Sequence, residues 1–84
     1  MRDHESLVMD TVREMVERRT GTPATVTLDS DMIADLEMDS LEIAELSAVL
    51  EEEYGEDPYT AGTLARTPRE VLAFYQSASS SKDG

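Results

Sequence analysis

Apolar side chains recur along this chain first with helical spacing, then irregularly, then with helical spacing again. Between His4 and Arg19, the residues Leu7, Val8, Val12, Met15 and Val16 share one face of a 3.6-residue repeat, while Glu5, Arg13, Glu14 and Glu17 point away. This pattern predicts a first helix. Asp3 is placed to cap its start, Arg18 and Arg19 lie where the helix dipole favours cations, and Gly21 stands just beyond its end. From Thr22 to Met38 the repeat is lost, and Pro23, three threonines and the run Asp29-Ser30-Asp31 predict a long loop. Within that loop Val26, Leu28, Ile33 and Leu36 are the residues expected to turn inward over the core.

The strongest helix start is Asp39-Ser40-Leu41-Glu42, with Asp39 as the cap and Glu42 three residues on, able to complete a capping box. A second helix is predicted to Tyr54. It buries Ile43, Leu46, Leu50 and Tyr54, places small Ser47 at a close contact, and is ended by Gly55. Its exposed face carries Glu42, Glu45, Glu51, Glu52 and Glu53, and the helix itself offers no cation to offset them. Asp57-Pro58 predicts a short third helix to about Leu64, because proline suits a first turn. Thr67-Pro68-Arg69-Glu70 repeats the starting logic for a last helix, which buries Val71, Leu72 and Phe74 or Tyr75 and ends near Ser77. The expected architecture is all-α, a small four-helix bundle of three main helices and one short one with a long first connection. It forms one domain over residues 1–77, followed by a disordered Ser-rich tail over 78–84.

Composition narrows what such a bundle can do. Eighty-four residues allow one small core. There is no cysteine, so disulfides, thiolate metal sites and an endogenous thiol nucleophile are excluded, and any thiol chemistry must be imported. The formal net charge is −12, and it is unevenly placed: twelve of the nineteen acidic residues lie between Thr20 and Ala65, where there is no Lys or Arg. Such a surface repels a phosphate backbone, so nucleic acid is excluded as a partner and basic protein surfaces are favoured. Neither a signal peptide nor a membrane span is legible, and a freestanding, monomeric, cytoplasmic protein is expected.

A serine nucleophile needs a base, and the single histidine, His4, lies at the amino end. A calcium loop starting at Asp29 would require an oxygen ligand at Ile33, a glycine at Ala34 and a glutamate at Ser40, and it fails at each. Neither catalytic nor metal-ligating residues are therefore expected. Ser40 is different, because a residue just inside a helix amino end meets uncommitted amides and a positive dipole that favour an attached phosphate.

The run Asp35-Leu36-Glu37-Met38-Asp39-Ser40-Leu41-Glu42-Ile43-Ala44-Glu45-Leu46 resembles the signature of acyl carrier proteins. Glu51-Glu52-Glu53-Tyr54 and Thr67-Pro68-Arg69-Glu70-Val71-Leu72-Ala73-Phe74 resemble later parts of the same family, so the likeness extends over about Leu7 to Tyr75. It implies that Ser40, flanked by Asp39 and Leu41, receives 4′-phosphopantetheine from coenzyme A through a phosphopantetheinyl transferase. It also implies that Glu42, Glu45, Ala48, Glu51 and Glu52 are recognised by basic docking surfaces on acyltransferases, ketosynthases or other synthase enzymes. The implied role is to hold acyl intermediates as thioesters for fatty acid or polyketide-type biosynthesis, with Met15, Met32 and Met38 able to repack around an acyl chain. Gly55, Asp57-Pro58-Tyr59 and Pro68 depart from the pattern of primary-metabolism carriers and leave the pathway open. A carrier of aminoacyl or peptidyl groups has the same arm with different cargo, and an unmodified acidic interaction module is the alternative of a different class.

Overall fold

The computed structural model describes the backbone of residues 3–83 and the side chains of residues 3–76. Helix α1 spans His4–Thr20, α2 spans Ser40–Tyr54 and α3 spans Pro68–Asp83, with no strand among the described residues. Each start and stop has a local cause. The Asp3 carboxylate accepts the Ser6 amide at 2.7 Å to open α1, and Gly21, at φ 75°, closes it by donating its amide to the Glu17 carbonyl. Asp39 and Gly55 do the same for α2, with Gly55 at φ 82° donating to Glu51. At α3 the Thr67 hydroxyl accepts the Glu70 amide at 3.1 Å, and Pro68 sits at the first helical position, where a missing N–H costs nothing.

Helix α1 packs against both α2 and α3 and so forms the middle of the bundle. Its stripe Leu7, Val8, Val12, Met15 and Val16 is buried against Leu46 and Leu50 of α2 and Val71 and Tyr75 of α3. Burial of these side chains from water is what holds three short helices together, since helices of this length are marginal alone. The long connection supplies two further core residues, Met32 and Met38, at 0% and 3% exposure. It is tied to the start of α3 by hydrogen bonds from the Met32 amide to the Arg66 carbonyl and from the Arg69 amide to the Leu28 carbonyl. Two exposed ion pairs, Arg66 with Asp31 and Arg69 with Asp29, span the same seam.

Several expectations are corrected. Ile33 is 46% exposed rather than inward, because the Asp31 carboxylate accepts the Ile33 and Ala34 amides and turns this segment outward, so that Met32 fills the core instead. The segment after Gly55 forms turns and not a helix. One α-type bond, from the Ala61 amide to the Asp57 carbonyl at 3.3 Å, is not continued through Gly62 at φ 93°, and Thr60 and Thr63 add little helical propensity. Finally, α3 is helical through Asp83, past the expected end at Ser77; the expected Ser-rich tail over 78–84 falls where the side chains of residues 77–84 and all of Gly84 lie outside the described residues.

Candidate functional site

Ser40 is the first residue of α2 and is exposed. The Asp39 carboxylate accepts the Glu42 amide at 2.9 Å and the Asp39 carbonyl accepts the Ile43 amide at 3.0 Å. The amides of Ser40 and Leu41 are then the first-turn donors left without a helical partner, at the positive end of the helix dipole. A phosphodiester on the Ser40 oxygen would stand in a setting that favours negative charge, and the Asp39 carboxylate beside it is already engaged with an amide. These residues fit the group expected there.

The loop leading to Ser40 is held by its own hydrogen bonds. Asp31 accepts the Asp35 and Leu36 amides on its carbonyl and the Ile33 and Ala34 amides on its carboxylate. The Ala34 amide foremost, then the Arg66 guanidinium and the Ile33 amide, hold the Asp31 carboxyl below the ordinary aspartate range. The Met38 amide donates to the Met32 carbonyl at 2.9 Å, so the two buried methionines anchor the turn from beneath. Glu37 takes φ 58°, the one non-glycine in the left-handed region among the described residues.

Along α2 the exposed residues Leu41, Ala44, Glu45, Ala48, Glu51 and Glu52 form one stripe running from Ser40, and Leu41 is 76% exposed. The charge on that stripe differs from expectation. Arg18 pairs with Glu45 at 3.1 Å and Arg19 pairs with Glu42 at 3.1 Å, so cations from the end of α1 offset the half of the acidic face nearest Ser40. Glu51, Glu52 and Glu53 make no ion pair with a described residue. The capping box is also only half formed, since the Glu42 carboxylate is turned to Arg19 and not back to Asp39. Sequence reasoning placed Arg18 and Arg19 at a helix dipole; their pairing across 23 and 27 residues depends on how α1 and α2 are packed, which no local pattern encodes.

On the other side of α2 a cleft of about 190 Å³ is lined by Ile33, Ile43, Tyr59, Leu64, Ala65 and Arg66. Ile43 is one turn from Ser40, so the cleft begins close to the serine. Its outer wall belongs to the turn segment 57–66, and that wall is fixed by Asp57. The Asp57 carboxylate, 2% exposed, accepts the Ser47 hydroxyl at 2.7 Å and the Thr60 amide at 2.9 Å through Oδ1, while Oδ2 has no partner. Burial is the largest single influence and pushes this carboxyl up, but the hydrogen bonding around it, from Thr60 first, then Ser47 and the Tyr59 backbone, together outweighs it, and the group titrates below its ordinary value. The Tyr59 hydroxyl donates to the Ala65 carbonyl, and burial followed by the nearby Asp57 charge pushes that phenol well above its ordinary range. Neither Asp57 nor the cleft was foreseen; the only local signal was the Asp-Pro pair.

No group of His, Cys, Asp and Glu among the described residues is arranged to hold a metal ion, and no helix there is long and apolar enough to cross a membrane. A family model described as phosphopantetheine attachment site matches residues 10–74, which contain Ser40 and all three helix starts but the first. No curated protein and no solved structure matches the chain.

Proposed function

The chain belongs to the phosphopantetheine-attachment family, and from that premise we propose that it carries acyl intermediates as thioesters on an arm attached to Ser40. Domains of this family hold a covalent 4′-phosphopantetheine group and are carriers, not enzymes. The observation that carries the assignment of Ser40 is its position: an exposed hydroxyl at the amino end of α2, between a capping aspartate and an exposed leucine. In loading, the Ser40 oxygen bonds to the phosphorus of the pantetheine-bearing phosphate of coenzyme A as the bond to adenosine 3′,5′-bisphosphate breaks, and the hydroxyl proton passes to the transferase. The arm then supplies the terminal thiol that the cysteine-free polypeptide lacks. Tethering raises the effective concentration of a bound acyl group at each enzyme that docks.

Docking falls to the exposed stripe of α2, with Leu41 and Ala48 as apolar contacts and Glu45, Glu51 and Glu52 meeting basic surfaces of the transferase and of synthase enzymes; Glu42, expected among them, is 15% exposed and paired with Arg19. Charge complementarity of this kind speeds encounter and selects partners more than it tightens them. The acyl-type surround Met38-Asp39-Ser40-Leu41 favours fatty acid or polyketide-type cargo over aminoacyl or peptidyl groups, and a cytoplasmic location follows from those pathways. An apolar cleft that starts one turn from Ser40 supports the same preference.

Incubation with coenzyme A and a phosphopantetheinyl transferase tests the reading by intact mass. The wild-type chain is expected to gain one phosphopantetheine and the Ser40→Ala variant none, with unchanged thermal stability because the hydroxyl makes no internal bond. Modification of Ser40→Ala would move the attachment point to another residue, and no modification of the wild type under conditions that load other carriers would leave an unmodified acidic module as the better description.

A further inference from the structure

We propose that Arg19 is a positioning residue for Ser40: a single guanidinium at the end of α1 ties down the chain on both sides of the serine. The proposal rests on the carrier reading above. Nε of Arg19 donates to both oxygens of the Glu42 carboxylate at 3.1 Å, and Nη2 donates to the carbonyl of Leu36. Leu36 lies four residues before Ser40 and Glu42 two after it, so the clamp brackets the hydroxyl without touching it. This is more than a surface ion pair. The Arg19 and Glu42 side chains are 35% and 15% exposed, against 65% and 46% for Arg18 and Glu45, so water and salt screen the Arg19 contact less.

The clamp falls where the chain needs holding. Between its two jaws lie Glu37 in the left-handed region and the helix cap Asp39, and that stretch is otherwise tied back to the preceding loop by the bond from the Met38 amide to the Met32 carbonyl, with the Leu36 amide bonded to the Asp31 carbonyl at its edge. Fixing the Leu36 carbonyl and the first turn of α2 to the same group holds the entry angle of the chain into the helix, and with it the direction of the Ser40 oxygen. The pairing also offsets the one carboxylate in the first turn of α2, two residues from where coenzyme A must bring its phosphates. A lysine could answer Glu42 but could not serve two separated acceptors in one plane, which is the work of a guanidinium.

Time-resolved intact mass of the full chain with coenzyme A and a phosphopantetheinyl transferase, combined with amide hydrogen exchange, is the test. Arg19→Ala is expected to lower kcat for loading on the order of tenfold with a smaller change in KM, because a misdirected nucleophile hurts the transfer more than docking. Arg19→Lys should recover only part of that loss, and Arg18→Ala, which breaks the neighbouring pair alone, should load within about twofold of wild type. Exchange should rise in Arg19→Ala at the amides of residues 36–42 and stay unchanged at Val71 in α3. Loading of Arg19→Ala at the wild-type rate overturns the proposal, as does full rescue by lysine, or a rise in exchange spread evenly over the three helices. Failure of the wild-type chain to load would instead overturn the carrier reading, and the exchange pattern would still decide whether the clamp exists.

Discussion

Replacing Asp57 by alanine removes the one buried carboxylate in the described core and the polar tie that its contact with Ser47 makes between α2 and the outer wall of the cleft. Its Oδ1 accepts a hydroxyl from Ser47 and an amide from Thr60 at 2.7 and 2.9 Å. Hydrogen bonds to a charged group contribute about 1.5–3 kcal/mol each, so the gross loss is roughly 3–6 kcal/mol. Against it stands the burial of a carboxylate whose Oδ2 is unpartnered, a cost that alanine avoids. Exposed Thr60 can also return its amide to water. The net destabilisation expected is about 2 kcal/mol, which for a domain of this size lowers Tm by roughly 10 °C. Asparagine keeps an acceptor oxygen and the shape but loses the charge, so Asp57→Asn should lose about half as much by the same reckoning.

The pH dependence separates charge from shape. The folded carboxyl titrates below its ordinary value of 3.8, so the ionised form is the one the fold favours. Its stabilisation is complete above that ordinary value and is lost as pH falls through the lower folded value. Urea denaturation followed by circular dichroism, at neutral pH and at several acid values, should therefore show wild type losing its advantage over Asp57→Asn as pH falls through the aspartate range. The ion-paired aspartates Asp29 and Asp31 titrate in the same window, but they are common to both proteins and cancel in the difference. Wild type and Asp57→Ala that unfold within about 0.5 kcal/mol of each other at neutral pH, a margin typical of an unimportant surface change, would refute the reasoning.

Two further substitutions of condition or residue follow from the same geometry. Glu37 occupies the left-handed region at a cost of about 1–2 kcal/mol for a residue with a side chain, while glycine there gives back roughly 0.5–1 kcal/mol in unfolded-state entropy, so Glu37→Gly should raise Tm by a few degrees. A lower Tm by calorimetry would mean that the glutamate side chain contributes something the backbone angle does not reveal. Added salt is expected to raise Tm, because the exposed ion pairs it screens are worth little individually, whereas the net charge of −12 repels itself throughout. A Tm that falls with ionic strength would show that the clamp of Arg19 and its neighbours outweighs that repulsion.

Every helix limit except the end of α3 was legible in the sequence because it is set locally. Asp3, Gly21, Asp39, Gly55 and the Thr67-Pro68 pair act on amides and carbonyls within four residues of themselves, and each works as its residue type requires. The buried stripes were legible for a related reason: the 3.6-residue repeat places Val8, Val12, Leu46, Leu50 and Val71 on single faces whatever those faces meet. Ser40 was legible as a candidate because its place at a helix start is itself local. The short helix after Asp57 failed on local grounds too, in that Asp-Pro starts a turn but Thr60, Gly62 and Thr63 do not propagate it.

Tertiary packing decided what stands across from what. Which loop residue fills the core, Met32 or Ile33, turned on a carboxylate two residues away and on a bond to Arg66 over thirty residues later. Whether the glutamates beside Ser40 are bare or paired turned on the placement of the α1 end against α2, and whether Asp57 is a surface acid or a buried tie turned on the face of α2 that Ser47 occupies. Spacing along a chain fixes neighbours within a turn of helix; charges, polar ties and clefts are made between elements, where the determining distance is through space.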